Sequence, residues 1–120
     1  MKELINNMEK LVKHLVAEKG PLRFFALFRR EGVEDRWDLL ISAPWFRANH
    51  RENLGYLADQ LARFLKLEER LLISRVVIYE SEDPDVERIR NAVRGEGGTV
   101  LVQDSNFFGL RIKEAYLFRT

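Results

Sequence analysis

Gly20 and Pro21 separate two hydrophobic rhythms that cannot belong to the same element. Before them, Leu4, Ile5, Met8, Leu11, Val12, Leu15 and Val16 recur at the i, i+3, i+4, i+7 spacing that lines one face of an α-helix over residues 3 to 18. After them, in LRFFALFRR, Leu22, Phe24, Ala26 and Phe28 alternate with Phe25 and Leu27, the two-residue period of a strand covered on both faces. The glycine suits a helix cap and the proline cannot extend the helical ladder. A chain that passes from an amphipathic helix into a doubly buried strand needs a sheet with helices packed on it.

The remaining chain supplies that sheet. EGVEDR is a polar, glycine-containing connection to the apolar run WDLLISA, so the first two strands read as a hairpin. From about residue 50 to 67, Leu54, Leu57, Ala58, Leu61, Phe64 and Leu65 predict a second helix, with Asn49 and Glu52 spaced as a variant capping box at its start. LLISRVVIY reads as a third strand. DPDVERIRNAVRG reads as a third helix, with Asp83 as cap, Pro84 at the first helical position and Val86, Ile89 and Val93 inward. GTVLVQ is the fourth strand and GLRIKEAYLFR the fifth, its alternation slipping near Lys113 and Glu114 as a bulge or an edge position would produce.

The expected architecture is a single domain over residues 1–120 of the α/β (α+β) class: a mixed five-stranded sheet with three helices, in the order αββαβαββ. Two strand-helix-strand units predict parallel pairing, with the first hairpin and the last strand adding antiparallel edges.

Composition bounds the chemistry. A hydrophobic fraction of 46% with 32% charged residues describes a packed core under a charged surface. The net charge of +1 counts against nucleic acid or an anionic membrane as the main partner. Absence of cysteine removes disulfides, thiolate metal sites and a cysteine nucleophile, and fits a cytoplasmic setting. Charges on nearly every turn of MKELINNMEKLVKHLV argue against a secretory signal or membrane span there, so a soluble, unprocessed chain is expected.

Several chemical motifs fall short. GEGG at 95 to 98 precedes a strand, so it lacks the helix start that cradles phosphate in glycine-rich loops. Glu80, Glu82, Asp83 and Asp85 lie close enough for a hard cation, but Asp83 reads as a cap and Asp85 sits favourably in a first helical turn. His14 has no second ligand at helical spacing. The opening helix and early hairpin, with Asp38, loosely resemble the restriction-endonuclease-like core, but that core's Glu-x-Lys occurs nowhere in the chain, so the resemblance is set aside. No metal, cofactor or catalytic set is expected.

One stretch does stand out. SAPWFRANHREN, residues 42 to 53, follows the C-terminal end of a strand, the rim where open α/β sheets bind ligands, and leads into a helix N-terminus. It assembles Trp45, Phe46, Arg47, Asn49, His50 and Arg51 as a candidate binding surface that would welcome a carboxylate or phosphate. The leading expectation is a non-catalytic protein-interaction or self-associating module, a homo-oligomer included, with Trp45 and Phe46 as anchors. The alternatives are nucleic-acid association through Arg88, Arg90 and Arg94 or Arg111 and Lys113, and a small-molecule enzyme using His50 and Arg47.

Overall fold

The switch of rhythm at Gly20 is where the first element ends. In the computed structural model, which describes residues 1–79, 83–95 and 98–120, α1 spans Lys2–Lys19. Gly20 closes it at φ 104°, a backbone that a Cβ would strain, and donates its amide to the Val16 carbonyl at 3.0 Å. Leu4, Met8, Leu11, Val12 and Leu15 are buried, with Ile5 and Val16 half-buried beside them.

β1 (Phe24–Arg30) and β2 (Trp37–Ser42) form the expected hairpin, Phe24 opposite Ser42 and Phe28 opposite Asp38. A 3-10 turn at Pro44–Phe46 leads to α2 (His50–Phe64), a one-turn α3 (Leu67–Arg70) and β3 (Ile73–Ile78), which runs parallel to β2. The short α3 is a helix that the periodicity did not reveal. Glu69 holds its start, accepting from the Lys66 amide at 2.9 Å and from Asn7 Nδ2 at 3.0 Å. α4 (Pro84–Ala92) then precedes β4 (Thr99–Phe107) and β5 (Leu110–Phe118), a second antiparallel hairpin.

The result is the expected mixed five-stranded sheet of the α+β class, in the order β3-β2-β1-β5-β4. Three details of the expected pairing are corrected. The β1–β2 hairpin lies in the interior of the sheet instead of at an edge, flanked by β3 and β5. β4 does not lie beside β3, because α4 packs over β1 and carries the chain to the opposite edge. β5 is an interior strand between β1 and β4, antiparallel to both, and its Ile112, Ala115, Leu117 and Phe118 are all buried. The slip in its alternation is a bulge: pairing with β1 jumps from Arg29–Glu114 to Arg30–Ile112, leaving Lys113 over.

Helices cover both faces. On one, α1 and α2 pack Leu11, Leu15, Leu57 and Leu61 against Phe25, Leu27, Leu39 and Ile41. On the other, Val86 and Ile89 of α4 meet Phe24, Ala26, Phe28, Leu40 and Leu117. The phenylalanines of β1 thus divide between two layers, as strand alternation requires.

Helix starts differ from expectation in one place and agree in another. Asn49 precedes α2 but makes no side-chain cap, so the Asn49–Glu52 box does not form; its backbone sits at φ −147°, ψ 72°. α2 is also rotated: Asn53, Leu57 and Leu61 are its buried residues, whereas Leu54 is 40% exposed and Ala58 is exposed. Asp83 does cap α4, accepting from the Asp85 amide at 2.9 Å with Pro84 at the first turn. Glu80, Glu82 and part of GEGG lie outside the described residues. Among the described residues, no helix is long and apolar enough to cross a membrane.

Candidate functional site

Because β2 and β3 are parallel, their C-terminal ends reach the same rim of the sheet, and the antiparallel β1 begins there. Hairpin register sets the start of β1 beside the exit of β2, with the Arg23 amide donating to the Ser42 carbonyl at 2.6 Å. A cavity of about 370 Å³ opens at this rim, lined by Arg23, Ser42, Ala43, Pro44, Phe46, Arg47, His50, Ile78 and Tyr79. That volume suits a small molecule.

Three cationic or protonatable side chains, Arg23, Arg47 and His50, face this space, and no carboxylate is among its described lining residues. Arg23 Nε is enclosed and has no hydrogen-bond partner among the described residues. An enclosed guanidinium N–H without a partner can donate to an acceptor that enters the cavity, which would relieve the cost of leaving it unpaired. His50 is the first residue of α2, so the positive end of that helix borders the same space, without a side-chain cap from Asn49. Burial, ahead of the opposing effect of Arg75, raises the Tyr79 hydroxyl above its usual pKa, so it stays a protonated donor at neutral pH.

The stretch 42 to 53 is therefore divided. Phe46, Arg47 and His50 line the cavity. Phe46 is also 2% exposed, a core residue whose ring forms part of the wall. Trp45 stands behind it: half-buried, stacked on Phe46 at 4.6 Å between ring centroids and edge-on to Tyr56 at 6.4 Å, with its Nε1 enclosed and unpartnered among the described residues. Asn49 and Arg51 are exposed and are not among the lining residues. The turn is fixed by Asn53, whose Nδ2 donates to the Trp45 carbonyl at 2.8 Å.

Arg23, Ser42 and Tyr79 were not singled out in the sequence. Hairpin pairing of β1 with β2 was a usable signal for Arg23, and the parallel crossover to β3 was one for Tyr79. Tyr79 is positioned from outside the cavity as well: its ring stacks on Phe108 at 3.9 Å with 18° between planes. Phe108 occupies the tip of the β4–β5 hairpin at φ 55°, followed by Gly109 at φ 76°, the geometry of a primed two-residue turn.

Several polar groups elsewhere are paired within the chain, whereas Trp45 Nε1, the Tyr56 hydroxyl and Gln60 Oε1 are enclosed without a hydrogen-bond partner among the described residues. Asp38, 3% exposed, accepts from Arg30 Nε at 2.9 Å, Arg75 Nε at 3.1 Å and Ser74 Oγ at 3.1 Å. Asp85 takes the Phe108 amide and Arg88, which together outweigh its burial and lower its pKa. His14 Nε2 lies 2.9 Å from a Glu18 carboxylate oxygen. Among the described residues, no group of three or more histidines and carboxylates is placed to hold a metal ion.

Compared with models of protein families, with curated proteins and with solved structures, the chain matches none.

Proposed function

We propose that the protein is a non-catalytic binding module whose rim cavity takes a small anionic molecule bearing a carboxylate or phosphate group. The observation that carries this reading is Arg23: its enclosed Nε, without a partner among the described residues, shares the cavity with Arg47, His50 and the start of α2. An anion there gains charge-assisted hydrogen bonds from a planar guanidinium and from backbone at the helix start. Phe46, Ile78 and Tyr79 give its uncharged portion an apolar wall. A cysteine-free chain suits the reducing cytoplasm, where such anions are plentiful.

The other expectations gain less support. Arg88, Arg90, Arg111 and Lys113 each lie within 3.1 Å of a carboxylate of the same chain, so they make a poor phosphate track for nucleic acid. His50 contacts the Phe46 ring at 6.1 Å between centroids, and a general base needs an orienting acid beyond that.

The test is a thermal-shift and calorimetric titration with inorganic phosphate, citrate and a nucleoside monophosphate, on the native chain and on Arg23→Gln. A ligand at about 100 times its Kd stabilises by about 2.7 kcal/mol, which is readily seen as a higher Tm. The reading expects such a rise in the native chain and its loss in a folded Arg23→Gln. No rise with any of the three anions, or an equal rise in the variant, overturns it.

A further inference from the structure

The two edges of the sheet are unlike each other. β3 forms one and β4 the other, and β4 is the longer, nine residues against six. Its first half, Thr99 to Gln103, carries no charge and reads TVLVQ, rich in the branched residues that favour strands. Leu101 is 49% exposed on the α1 side, while Val100 and Val102 are half-buried on the α4 side. Long, uncharged, apolar edges are templates for further strand pairing, and proteins usually interrupt them with charge, proline or a bulge.

Which backbone groups face outward follows from one hydrogen bond. The Arg119 amide donates to the Gly98 carbonyl at 3.2 Å, making Gly98 and Arg119 a hydrogen-bonded pair in the β4–β5 register. Antiparallel alternation then turns the amides and carbonyls of Val100 and Val102 toward β5, and those of Thr99, Leu101 and Gln103 away from the sheet. Among the described residues, these outward groups meet only the Ser105 hydroxyl, at 3.4 Å from the Gln103 carbonyl. Beyond Gln103 the edge closes. Asp104 takes φ 50° and is paired with Lys113, and Arg88 reaches the Asn106 carbonyl at 2.9 Å.

We propose that this open stretch pairs antiparallel with the same stretch of a second copy, about a two-fold axis at Leu101. The register is set by the outward groups. Leu101 faces its own counterpart and Thr99 faces Gln103 as hydrogen-bonded pairs, with Val100 facing Val102 between them. The chemistry is self-complementary: apolar side chains meet apolar ones on both faces, Thr99 and Gln103 meet at the ends, and the first charge, Asp104, falls opposite Gly98. No like charges are brought together within the seam, the condition that a two-fold strand pair must meet. The product is a continuous ten-stranded sheet, with each rim cavity near its outer end. A seam of this length sits at the small end of specific interfaces, below about 1,200 Å², so association depends on concentration.

The experiment is sedimentation velocity and light scattering over a wide concentration range on the native chain, Leu101→Lys, Leu101→Glu and an equimolar mixture of the two variants. Leu101 is half exposed and its backbone is unaltered, so circular dichroism of the variants should match the native chain. The expected result is a native dimer, two monomeric variants and a dimer restored in the mixture, because opposite charges then meet at the axis. Amide exchange should be slowed at Thr99, Leu101 and Gln103 in the native dimer and at least tenfold faster in either variant alone. A native chain that remains monomeric, variants that dimerise as the native chain does, or a mixture that stays monomeric overturns the proposal. None of these readouts involves the rim cavity, so anion binding stands or falls separately.

Discussion

The side-chain amide of Asn53 and the backbone carbonyl of Trp45 are joined by a 2.8 Å hydrogen bond that links the first turns of α2 to the 3-10 turn before it. Asn53 is 7% exposed, so removing the amide leaves the carbonyl without this donor inside the protein. Asn53→Ala should lower stability by about 1–3 kcal/mol, read from urea denaturation midpoints. It should also weaken anion binding without touching a lining residue, because Phe46, Arg47 and His50 hang on this turn. A variant as stable as the native chain would show that the bond holds nothing.

Trp45 is a support for the cavity wall. Its indole is half-buried against Phe46 and Tyr56, so Trp45→Ala should cost roughly 2 kcal/mol, less than a fully enclosed tryptophan. The variant is expected to remain folded by circular dichroism, with a lower Tm. Trp45→Phe should recover much of the loss, since stacking on Phe46 needs an aromatic ring and the indole N–H has no partner among the described residues.

Phe108 pairs an unfavourable backbone with favourable packing. Asparagine adopts φ 55° more readily than phenylalanine does, so Phe108→Asn relieves the turn but removes the ring stacked on Tyr79. The ring contact is expected to win, leaving the variant less stable by roughly 1 kcal/mol and Tyr79 less restrained. A rise in Tm would mean that turn strain outweighs the stack.

Asp85 should make acid sensitivity measurable. Despite its burial, the Phe108 amide and Arg88 hold its carboxyl below the usual carboxylate range in the folded state. Stability from a lowered pKa is fully present above the unfolded value, about 4, and is lost as pH falls through the folded one. Asp85→Asn should therefore reduce stability at about pH 7 and narrow the difference between about pH 7 and about pH 3. Denaturation midpoints at the two pH values check this, and an unchanged difference would contradict it.

Much of the architecture was legible where a local signal existed. The period change at Gly20, the hairpin between LRFFALFRR and WDLLISA, the Asp83–Pro84 helix start and the bulge at Lys113 are all written in neighbouring residues. Strand order was not, because the slip in the alternation of β5 fits a bulge and an edge position alike, and nothing local says which strands flank it. α2 was misjudged by one position because Leu54 looked like a core residue, whereas polar Asn53 is the one turned inward by its bond to Trp45. SAPWFRANHREN contains six of the nine residues that line the rim cavity. Arg23 and Tyr79 belong to it only through pairings that join distant parts of the chain, so a linear scan passed over both.

The insertion of β5 between β1 and β4 carries a cost during synthesis. Residues of β1 emerge from the ribosome about 90 positions ahead of the strand that must lie beside them, a delay of several seconds at roughly 5–20 residues per second. Throughout that interval a nascent chain exposes one flank of its most apolar strand, so chaperone protection is expected to matter most just before the final hairpin leaves the exit tunnel.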